Sequence, residues 1–383
     1  MRELVMARIL SALSGGVDSS VATALLLEQG HEVVAAYMRN WINEENIAGD
    51  CPWQQDIEDA QAVADTLGVE FRVLNLMDDY RERVVTYLLG GYRGGITPNP
   101  DVMCNREMKF GVFLDYARTQ GFDGIATGHY ARIRRRDDGA CDLLRGADPS
   151  KDQSYFLALL NQDQLAASYF PIGHLLKSEV RAEAVRFGLP NARKKDSQGI
   201  CFIGDVKMSD FLRAFIDDDP GDIVDVSGRV LGRHRGLHLY TYGQRKGLGV
   251  ASPVYKEAFV VVGKRPERNQ LVVGLERPDT PGLHARRAVV GDLHWTRERF
   301  FDQARPLEAQ PRYRHAGAPA FIEPWSGEGG GAPPRHDAVL VSWDEPQRAL
   351  TPGQVCAFYD ADVLLGGGFF QEIRLDAPIR SGS

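Results

Sequence analysis

The amino-acid sequence predicts an α/β fold whose first half is built on a parallel β-sheet. Up to about residue 127, short β-like runs alternate with amphipathic stretches of helical length, which is typical of parallel sheets covered by helices on both faces. After about residue 205 the pattern changes to short strands separated by turns, which indicates a small sheet or barrel. A chain of 383 residues exceeds the size of one hydrophobic core, so two or three domains are expected.

The predicted elements of the first half alternate in strict order. Strands are expected at 8–13, 32–38, 70–76 and 124–127, and helices at 19–29, 56–67 and 78–90. Ligands of such folds bind at the carboxyl ends of the strands. The loop after the first strand is therefore a candidate site.

The second half begins after an acidic, turn-rich stretch at 217–221. Strands are expected at 223–226, 259–263, 270–274, 338–343 and 354–359, and the Gly/Pro-rich residues 326–334 are predicted to form a hairpin loop.

Composition and charge exclude several classes of protein. With 43% hydrophobic and 25% charged residues, the chain has the balance of an ordinary soluble globular protein. Its apolar runs are too short to cross a bilayer, and no signal-peptide hydrophobic region begins it, so a cytoplasmic protein with no membrane partner is expected. A net charge of −7 argues against coating nucleic acid nonspecifically. An RNA partner would therefore have to bind at local basic clusters, such as 132–136, 193–195, 233–235 and 312–314.

The cysteines are few and widely spaced: Cys51, Cys104, Cys141, Cys201 and Cys356. An odd number without C-x-x-C spacing is not a structural disulfide framework, and it gives no reason to expect structural zinc. We interpret Cys51, Cys141 and Cys356 as small buried hydrophobic residues.

The sharpest local motif is SGGVDSS at residues 14–20, between a predicted strand and a predicted helix. Glycines let backbone N–H groups approach an anion, and the helix N-terminus adds partial positive charge. Asp18 cannot favour a phosphate directly, so it would hold Mg²⁺ or shape the loop. The alternative is an ordinary capped strand-to-helix turn, which seven matching residues in this context disfavour.

Two further segments each contain a cysteine. TPNPDVMCN at 97–105 is a turn-rich loop expected to place Cys104 just before a helix beginning near Arg106, where Lys109 is also close. Positive surroundings favour a thiolate and so a better nucleophile. DSQGICFIG at 196–204 places Cys201 in a glycine-containing loop. A lone loop cysteine is more often inert, but two beside a phosphate loop suggest a sulfur relay by persulfide and disulfide exchange.

The heptapeptide resembles the PP-loop of the ATP pyrophosphatase superfamily, whose members adenylate a carbonyl oxygen. That superfamily includes amide-forming ligases as well as enzymes that modify tRNA, so the loop alone leaves the substrate open. The other segments narrow it. TPNPDVMCN, ATGHYAR, KDQSYFL, SQGICFIG, TYGQRKGLG, and the late RYR and PGQ make the chain similar to the tRNA-specific 2-thiouridylase family from residue 12 to about 354.

The resemblance implies three domains. They are an adenine nucleotide alpha hydrolase-like PP-loop domain at 1–205, a small α+β tRNA-binding linker domain at 206–278, and a C-terminal β-barrel at 279–383. It also implies a reaction, in which ATP adenylates the carbon-2 oxygen of the wobble uridine in tRNAs for Lys, Glu and Gln, and sulfur then replaces that oxygen. Mg²⁺ would accompany ATP, and a sulfur-carrier or cysteine-desulfurase protein would supply the sulfur.

The resemblance assigns roles residue by residue. Cys201 would carry the persulfide, Cys104 would be its partner nucleophile, and Asp101 is a candidate acid/base, although an Asx turn explains Asp101 equally well. No metal-binding residue is implied. ATP would be bound by Ala12, Leu13, Ser14, Gly15, Gly16, Val17, Asp18, Ser19, Met38 and Gly128. The tRNA would be contacted by Asn99, Pro100, Asp101, His129, Lys151, Asp152, Gln153, Arg312, Tyr313 and Gln354.

Three other functions remain as alternatives. An amide-forming ATP ligase would use the loop but neither cysteine. A non-catalytic RNA-binding module would release no pyrophosphate in the presence of tRNA. A thiol redox protein would be expected to carry C-x-x-C, which is missing.

Overall fold

The structure is a computed structural model that describes residues 6–43, 47, 49–50, 53–195, 205–252, 254–296, 304–327 and 335–377. Cys51, Cys201 with the segment around it, and most of the expected hairpin loop at 326–334 lie outside these ranges.

Within the described residues, the strands form four sheets. In chain order they are β1 Arg8–Ala12, β2 Glu32–Arg39, β3 Gly49–Asp50, β4 Phe71–Asn75, β5 Gly124–Ala126, β6 Ala131–Arg135, β7 Cys141–Arg145, β8 Ser168–Tyr169, β9 Asp205–Val206, β10 Gly221–Asp225, β11 Val230–His234, β12 Phe259–Arg265, β13 Gln270–Leu275, β14 His284–Trp295, β15 Arg305–Gln310, β16 Ala318–Trp325, β17 Arg335–Arg348, β18 Val355–Asp360 and β19 Val363–Leu375.

The helices lie mostly in the first half. They are α1 Val17–Glu28, α2 Trp53–Leu67, α3 Met77–Tyr80, α4 Thr86–Arg93, α5 Pro100–Met103, α6 Phe113–Thr119, α7 Gln162–Ala166, α8 Lys177–Arg186 and α9 Met208–Arg213. Two π-helical segments, Arg81–Val85 and Cys104–Val112, join α3 to α4 and α5 to α6. Short 3-10 turns occupy Ser154–Leu157, Leu237–Leu239 and Pro266–Arg268.

The predicted parallel sheet of the first half is confirmed. Its strands lie in the order β4-β2-β1-β5-β8, and each neighbouring pair is parallel. β1 is central and buried from its second residue onward, because helices cover both faces of such a sheet. The carboxyl end of β1 therefore opens into the phosphate loop at the edge where ligands of this fold bind.

The helix that carries Cys104 begins earlier than the sequence analysis expected. It starts at Pro100 rather than near Arg106, so Cys104 lies inside the helix and not in a loop before it. The reason is local. The Asn99 side-chain oxygen accepts a hydrogen bond from the Val102 N–H at 3.2 Å, and proline occupies the first helical position, where its missing N–H costs nothing.

The second half contains a small sheet and a barrel, as predicted. The central sheet has the order β11-β10-β13-β12. Strands β14, β17, β16, β15, β18 and β19 then form a closed six-stranded antiparallel barrel, since β14 pairs with both β17 and β19.

A hairpin of the first half, β6–β7, extends the barrel sheet. Leu144 and Leu143 of β7 pair with Val363 and Leu364 of β19. The sequence analysis missed this hairpin, because its basic run at 132–136 resembles a solvated surface. Its pairing partner lies more than 200 residues away in sequence.

Cys141 in this hairpin and Cys356 in the barrel are both buried, as expected of small hydrophobic residues. Among the residues that the structure describes, no helix is both long and apolar enough to cross a membrane.

Candidate active site

The phosphate loop connects β1 to α1 and is held by its own hydroxyl groups. Ser19 Oγ donates to the Gly16 carbonyl at 3.0 Å and accepts from the Ser14 N–H at 3.2 Å. Ser20 Oγ donates to the same Gly16 carbonyl at 2.8 Å. Gly15 has a φ of +75°, and a Cβ there would lie 2.5 Å from the Asp56 carbonyl oxygen. Only glycine fits, so the backbone N–H groups can approach an anion at the start of α1.

Asp18, at the start of α1, is engaged by two partners from distant segments. The Lys177 ammonium lies 2.8 and 2.9 Å from its two carboxylate oxygens, and the Tyr130 hydroxyl donates to one of them at 2.8 Å. Of the two roles that the sequence left open for Asp18, these contacts favour shaping the loop. Lys177 also adds positive charge beside the place where phosphates would lie.

Asn191 supports the loop from behind. Its side-chain amide nitrogen donates to the Gly15 carbonyl and to Ser20 Oγ, both at 2.9 Å, and the residue is 7% exposed. Nearby, the Lys194 ammonium binds Asp56 at 2.8 Å and Asp59 at 2.6 Å. Since the start of α2 also touches Gly15, these contacts join α2, the 191–194 turn and the loop into one unit.

The ATGHY segment, residues 126–130, packs against the same loop. A Cβ at Gly128 would lie 2.7 Å from the Ser19 backbone nitrogen, so glycine is required for this close approach. His129 is buried, and its Nδ1 lies 2.7 Å from Thr127 Oγ1. Burial lowers the pKa of His129 well below its usual value, and Lys109 lowers it further. The imidazole is therefore neutral. Met38, at the end of β2, is buried.

The helix that follows Asn99 places Cys104 in the core. Cys104 is fully buried and belongs to the same hydrophobic cluster as Met38 and Ala12. The Phe110 ring on this helix lies 5.9 Å from the His129 ring, measured between centroids. The helix therefore packs directly against the ATGHY segment. Asp101 lies in the first helical turn, one residue after Pro100.

In the KDQ segment, residues 151–153, the side chains at the second and third positions make hydrogen bonds within the protein. Asp152 accepts hydrogen bonds from the Gly146 N–H at 2.9 Å and the Ser154 N–H at 3.1 Å. Gln153 accepts from the Tyr130 N–H at 3.0 Å. Because the Tyr130 hydroxyl reaches Asp18, this segment is connected to the phosphate loop through one tyrosine.

The barrel contacts the first half of the chain through two residues that the sequence analysis selected, Gln354 and Tyr313. The Gln354 amide nitrogen donates to the carbonyls of Thr97 and Pro98 at 2.8 and 3.1 Å. The Tyr313 ring lies 4.3 Å from the Phe156 ring between centroids. Arg312 donates to the Ala349 carbonyl at 2.5 Å, and burial lowers its pKa.

The structure thus brings together the phosphate loop, the ATGHY and KDQ segments and the Cys104 helix, and it adds residues that sequence reasoning missed. Lys177 and Asn191 carried no motif. Tyr130 lay inside ATGHYAR without a role, and Lys194 was noted only as part of the basic cluster 193–195. The signal for Tyr130 was its place in a quoted motif, whereas nothing local marked Lys177 or Asn191. Cys201 lies outside the described residues, so its distance to Cys104 is not part of this geometry.

The matches to known protein families agree with this three-part architecture. Three family models match in order: a tRNA methyl transferase HUP domain over residues 7–205, a tRNA methyl transferase PRC-barrel domain over 209–275, and an aminomethyltransferase beta-barrel domain over 286–370. A tRNA-specific 2-thiouridylase MnmA of Akkermansia muciniphila is 61% identical over 369 residues, covering 96% of this chain and all of that protein.

The chain belongs to the tRNA-specific 2-thiouridylase family. A second relative of that name, from Pseudomonas aeruginosa LESB58, is 46% identical over 95% of this chain and 94% of its own length. A third, from Pseudomonas syringae pv. syringae, is 44% identical over 96% and 94%. The similarity covers the phosphate loop, the cysteine segments and the barrel alike.

Proposed function

We propose that this protein is an ATP-dependent tRNA-uridine 2-sulfurtransferase. It adenylates the carbon-2 oxygen of the wobble uridine in tRNAs for Lys, Glu and Gln and replaces that oxygen with sulfur from a cysteine persulfide. The observation that carries the proposal is that a phosphate-binding loop and a buried cysteine pack through one cluster that contains Ala12, Met38 and Cys104. A ligase or a plain RNA-binding module has no use for that cysteine.

The loop fits the polyphosphate of ATP. The backbone N–H groups of residues 14–17 and the N-terminus of α1 would hold the phosphates, with Ala12, Leu13 and Ser19 completing the cradle. Met38 and Gly128 would lie beside the nucleotide. ATP supplies the AMP group that makes the uracil oxygen a leaving group, and Mg²⁺ would neutralise phosphate charge. The Lys177 ammonium offsets the negative charge of Asp18 beside this cradle.

The target base would reach the site by leaving the anticodon stack, at a cost of about a few kcal/mol. Asn99, Pro100 and Asp101 would meet the flipped base, because they stand at the start of the Cys104 helix. His129 would contact tRNA as a neutral group. Lys151, Asp152, Gln153, Arg312, Tyr313 and Gln354 would contact the surrounding RNA. Because Asp152 and Gln153 also accept hydrogen bonds from within the protein, they would shape the surface that meets the RNA as well as contact it.

Sulfur would be delivered by the two cysteines. The terminal sulfur of a Cys201 persulfide attacks carbon 2 and displaces AMP, either directly or after the Cys104 thiolate releases it as hydrosulfide. On the direct route the base stays joined to Cys201 by an S–S bond, which the Cys104 thiolate breaks by attacking Cys201 Sγ, so that the thiolated uridine leaves. Both routes therefore end in a Cys104–Cys201 disulfide, which a two-electron thiol reductant must reduce. A sulfur-carrier or cysteine-desulfurase protein would renew the persulfide. These thiols require a reducing compartment, which agrees with a cytoplasmic location.

We also propose the division into a PP-loop domain at 1–205, a linker domain at 206–278 and a barrel domain at 279–383. The β6–β7 hairpin would then belong to the first domain while extending the sheet of the third. That hairpin would hold the barrel's RNA-contacting turns at a fixed distance from the Cys104 helix.

The experiment is mass spectrometry of unmodified tRNA incubated with the protein, Mg-ATP, a cysteine desulfurase with cysteine as the persulfide donor, and a thiol reductant. We expect an ATP-dependent replacement of oxygen by sulfur at the wobble uridine, lost in Cys104→Ala and Cys201→Ala. Cys141→Ala is the matched control, since Cys141 is equally buried but lies in the hairpin. AMP and pyrophosphate without thiolated tRNA would instead support an ATP ligase.

A further inference from the structure

Five side chains lie near one another where the central sheet and the barrel approach the Cys104 segment, residues 97–105. They are Arg245, Glu276, Arg312, His315 and Arg348. We call them the junction cluster. Four of the five are basic types. Glu276 follows the last strand of the central sheet, and Arg348 ends β17 of the barrel.

One carboxylate serves two guanidinium groups in this cluster. Arg348 Nη2 and Nε lie 2.6 and 3.0 Å from Glu276 Oε1, and Arg245 Nε lies 3.0 Å from Glu276 Oε2. Arg312 donates to the carbonyl of Ala349, and within the described part of the chain no carboxylate forms an ion pair with it. The cluster therefore has an excess of positive charge.

Two members of the cluster have pKa values that are lowered by burial first and by neighbouring arginine charge second. Burial lowers the pKa of Arg312, and Arg348 lowers it further. Burial also lowers the pKa of His315, with Arg312 and Arg348 as the next causes. Mutual repulsion between these cations makes a nearby anion favourable.

The cluster lies beside the segment that would meet the target base. Arg348 Nη2 lies 3.4 Å from the Gly243 carbonyl, which belongs to the TYGQRKGLG turn. In the same turn Thr241 Oγ1 lies 3.3 Å from Thr97 Oγ1, two residues before Asn99. Arg245 is 58% exposed and Arg348 is 30% exposed at the side chain, so both guanidinium groups can be reached from solvent.

We propose that the junction cluster binds the phosphodiester backbone of the substrate RNA, with Arg245 and Arg348 as its contacts. Guanidinium groups match phosphate oxygens in bidentate fashion. The chain as a whole carries a net charge of −7, so a concentrated positive site is not a general property of its surface. Glu276 competes with the phosphates for both arginines and so limits the affinity. This inference rests on the proposed function, because tRNA is taken as the substrate.

The test is equilibrium binding of fluorescently labelled, unmodified tRNA without ATP or sulfide, repeated between about 50 and 300 mM KCl. Arg245→Gln should weaken binding roughly 3- to 10-fold and reduce the salt slope by about one phosphate contact. Arg348→Gln should do the same. Glu276→Gln should tighten binding several-fold, because it frees both arginines. Arg229→Gln is the matched control, since Arg229 is an exposed arginine of the central sheet paired with Asp225.

The opposite sign for Glu276→Gln separates RNA binding from a structural role, since loss of a structural ion pair would weaken binding. Weaker binding by Glu276→Gln, or unchanged affinity and salt slope in both arginine variants, overturns this inference alone. A wild-type protein that does not bind tRNA overturns the proposed function and this inference with it. Thermal melting of each variant checks that the fold is retained.

Discussion

The Lys177 ammonium lies 2.8 and 2.9 Å from the carboxylate oxygens of Asp18, although the two residues are 159 positions apart. This ion pair fixes the first turn of α1 to the first turn of α8. Because the side chains of Lys177 and Asp18 are 14% and 32% exposed, water screens the pair less than it screens a surface pair. The Lys177 ammonium thereby offsets the negative charge of Asp18 beside the phosphate loop.

We predict that Lys177→Met weakens ATP use specifically. The variant leaves the Asp18 carboxylate without its ammonium partner, so it should repel the phosphates and raise the KM for ATP about 10-fold or more, or ~1.4 kcal/mol. The KM for tRNA should stay unchanged, and steady-state kinetics with each substrate varied separately measures both. Arg186→Gln is the control, because Arg186 also joins α8 to α1 through Glu28, away from the loop. Equal effects of the two substitutions would contradict the prediction.

Asn191 should position the phosphate loop through its amide N–H groups. Asn191→Asp places a carboxylate oxygen against the Gly15 carbonyl, which the native amide nitrogen reaches at 2.9 Å. We expect the KM for ATP to rise about 10-fold or more, because a donor is lost and a negative charge is added near the phosphates. Acidic buffer should restore part of the loss by protonating the new carboxyl. Asn161→Asp is the control, since Asn161 caps α7 and aspartate caps helices equally well. A variant whose loss does not depend on pH would contradict this explanation.

Gly128 should tolerate no side chain. In Gly128→Ala the new Cβ would lie 2.7 Å from the Ser19 nitrogen and 2.8 Å from the Asp18 carbonyl carbon. Both neighbours are backbone, so the start of α1 must move. We expect pyrophosphate release to fall by about 100-fold or more, because small displacements of a positioning group cost roughly that much. Gly90→Ala is the control, since nothing lies within 4 Å of its Cβ, and alanine there should stabilise the helix by about 0.5–1 kcal/mol. Wild-type pyrophosphate release by Gly128→Ala would rule out this role.

Lys264 makes stability depend on pH in the alkaline range. Burial lowers its pKa from the usual 10.5 to about 8, and its ammonium lies 3.4 Å from the Gly95 carbonyl. Below pH 8 both folded and unfolded chains carry the proton, and the buried charge costs its full amount. That cost is relieved as the pH rises from about 8 to 10.5, where only the unfolded chain binds the proton.

Lys264→Met should therefore raise the free energy of unfolding by about 1–3 kcal/mol at pH 7, and by much less near pH 10. Urea-unfolding midpoints of wild type and variant at both pH values measure the difference. Lys207→Met, at an exposed position, should change neither. A gain in stability that is the same at both pH values would show that burial of the charge is not its cause.

Sequence reasoning located the phosphate loop and the cysteine segments because each is a short contiguous pattern. SGGVDSS between a strand and a helix encodes its own backbone geometry, and the order of motifs identified the family. Sequence reasoning placed the start of the Cys104 helix near Arg106 instead of at Pro100, although Asn99 followed by Pro100 is a recognisable helix-capping pattern. There a turn-rich composition outweighed the capping pattern.

By itself, then, the sequence determined the α/β class, the barrel and the position of the motifs that we propose to react, because periodicity and motifs are local properties. Only the tertiary structure decided that Lys177 and Asn191 support the phosphate loop and that the β6–β7 hairpin extends the barrel sheet. It alone showed that Gln354 holds the Thr97–Pro98 backbone. These partners are separated by 159 to 257 residues or joined only by strand pairing, and no local pattern specifies which distant residue will complete a hydrogen bond or an ion pair.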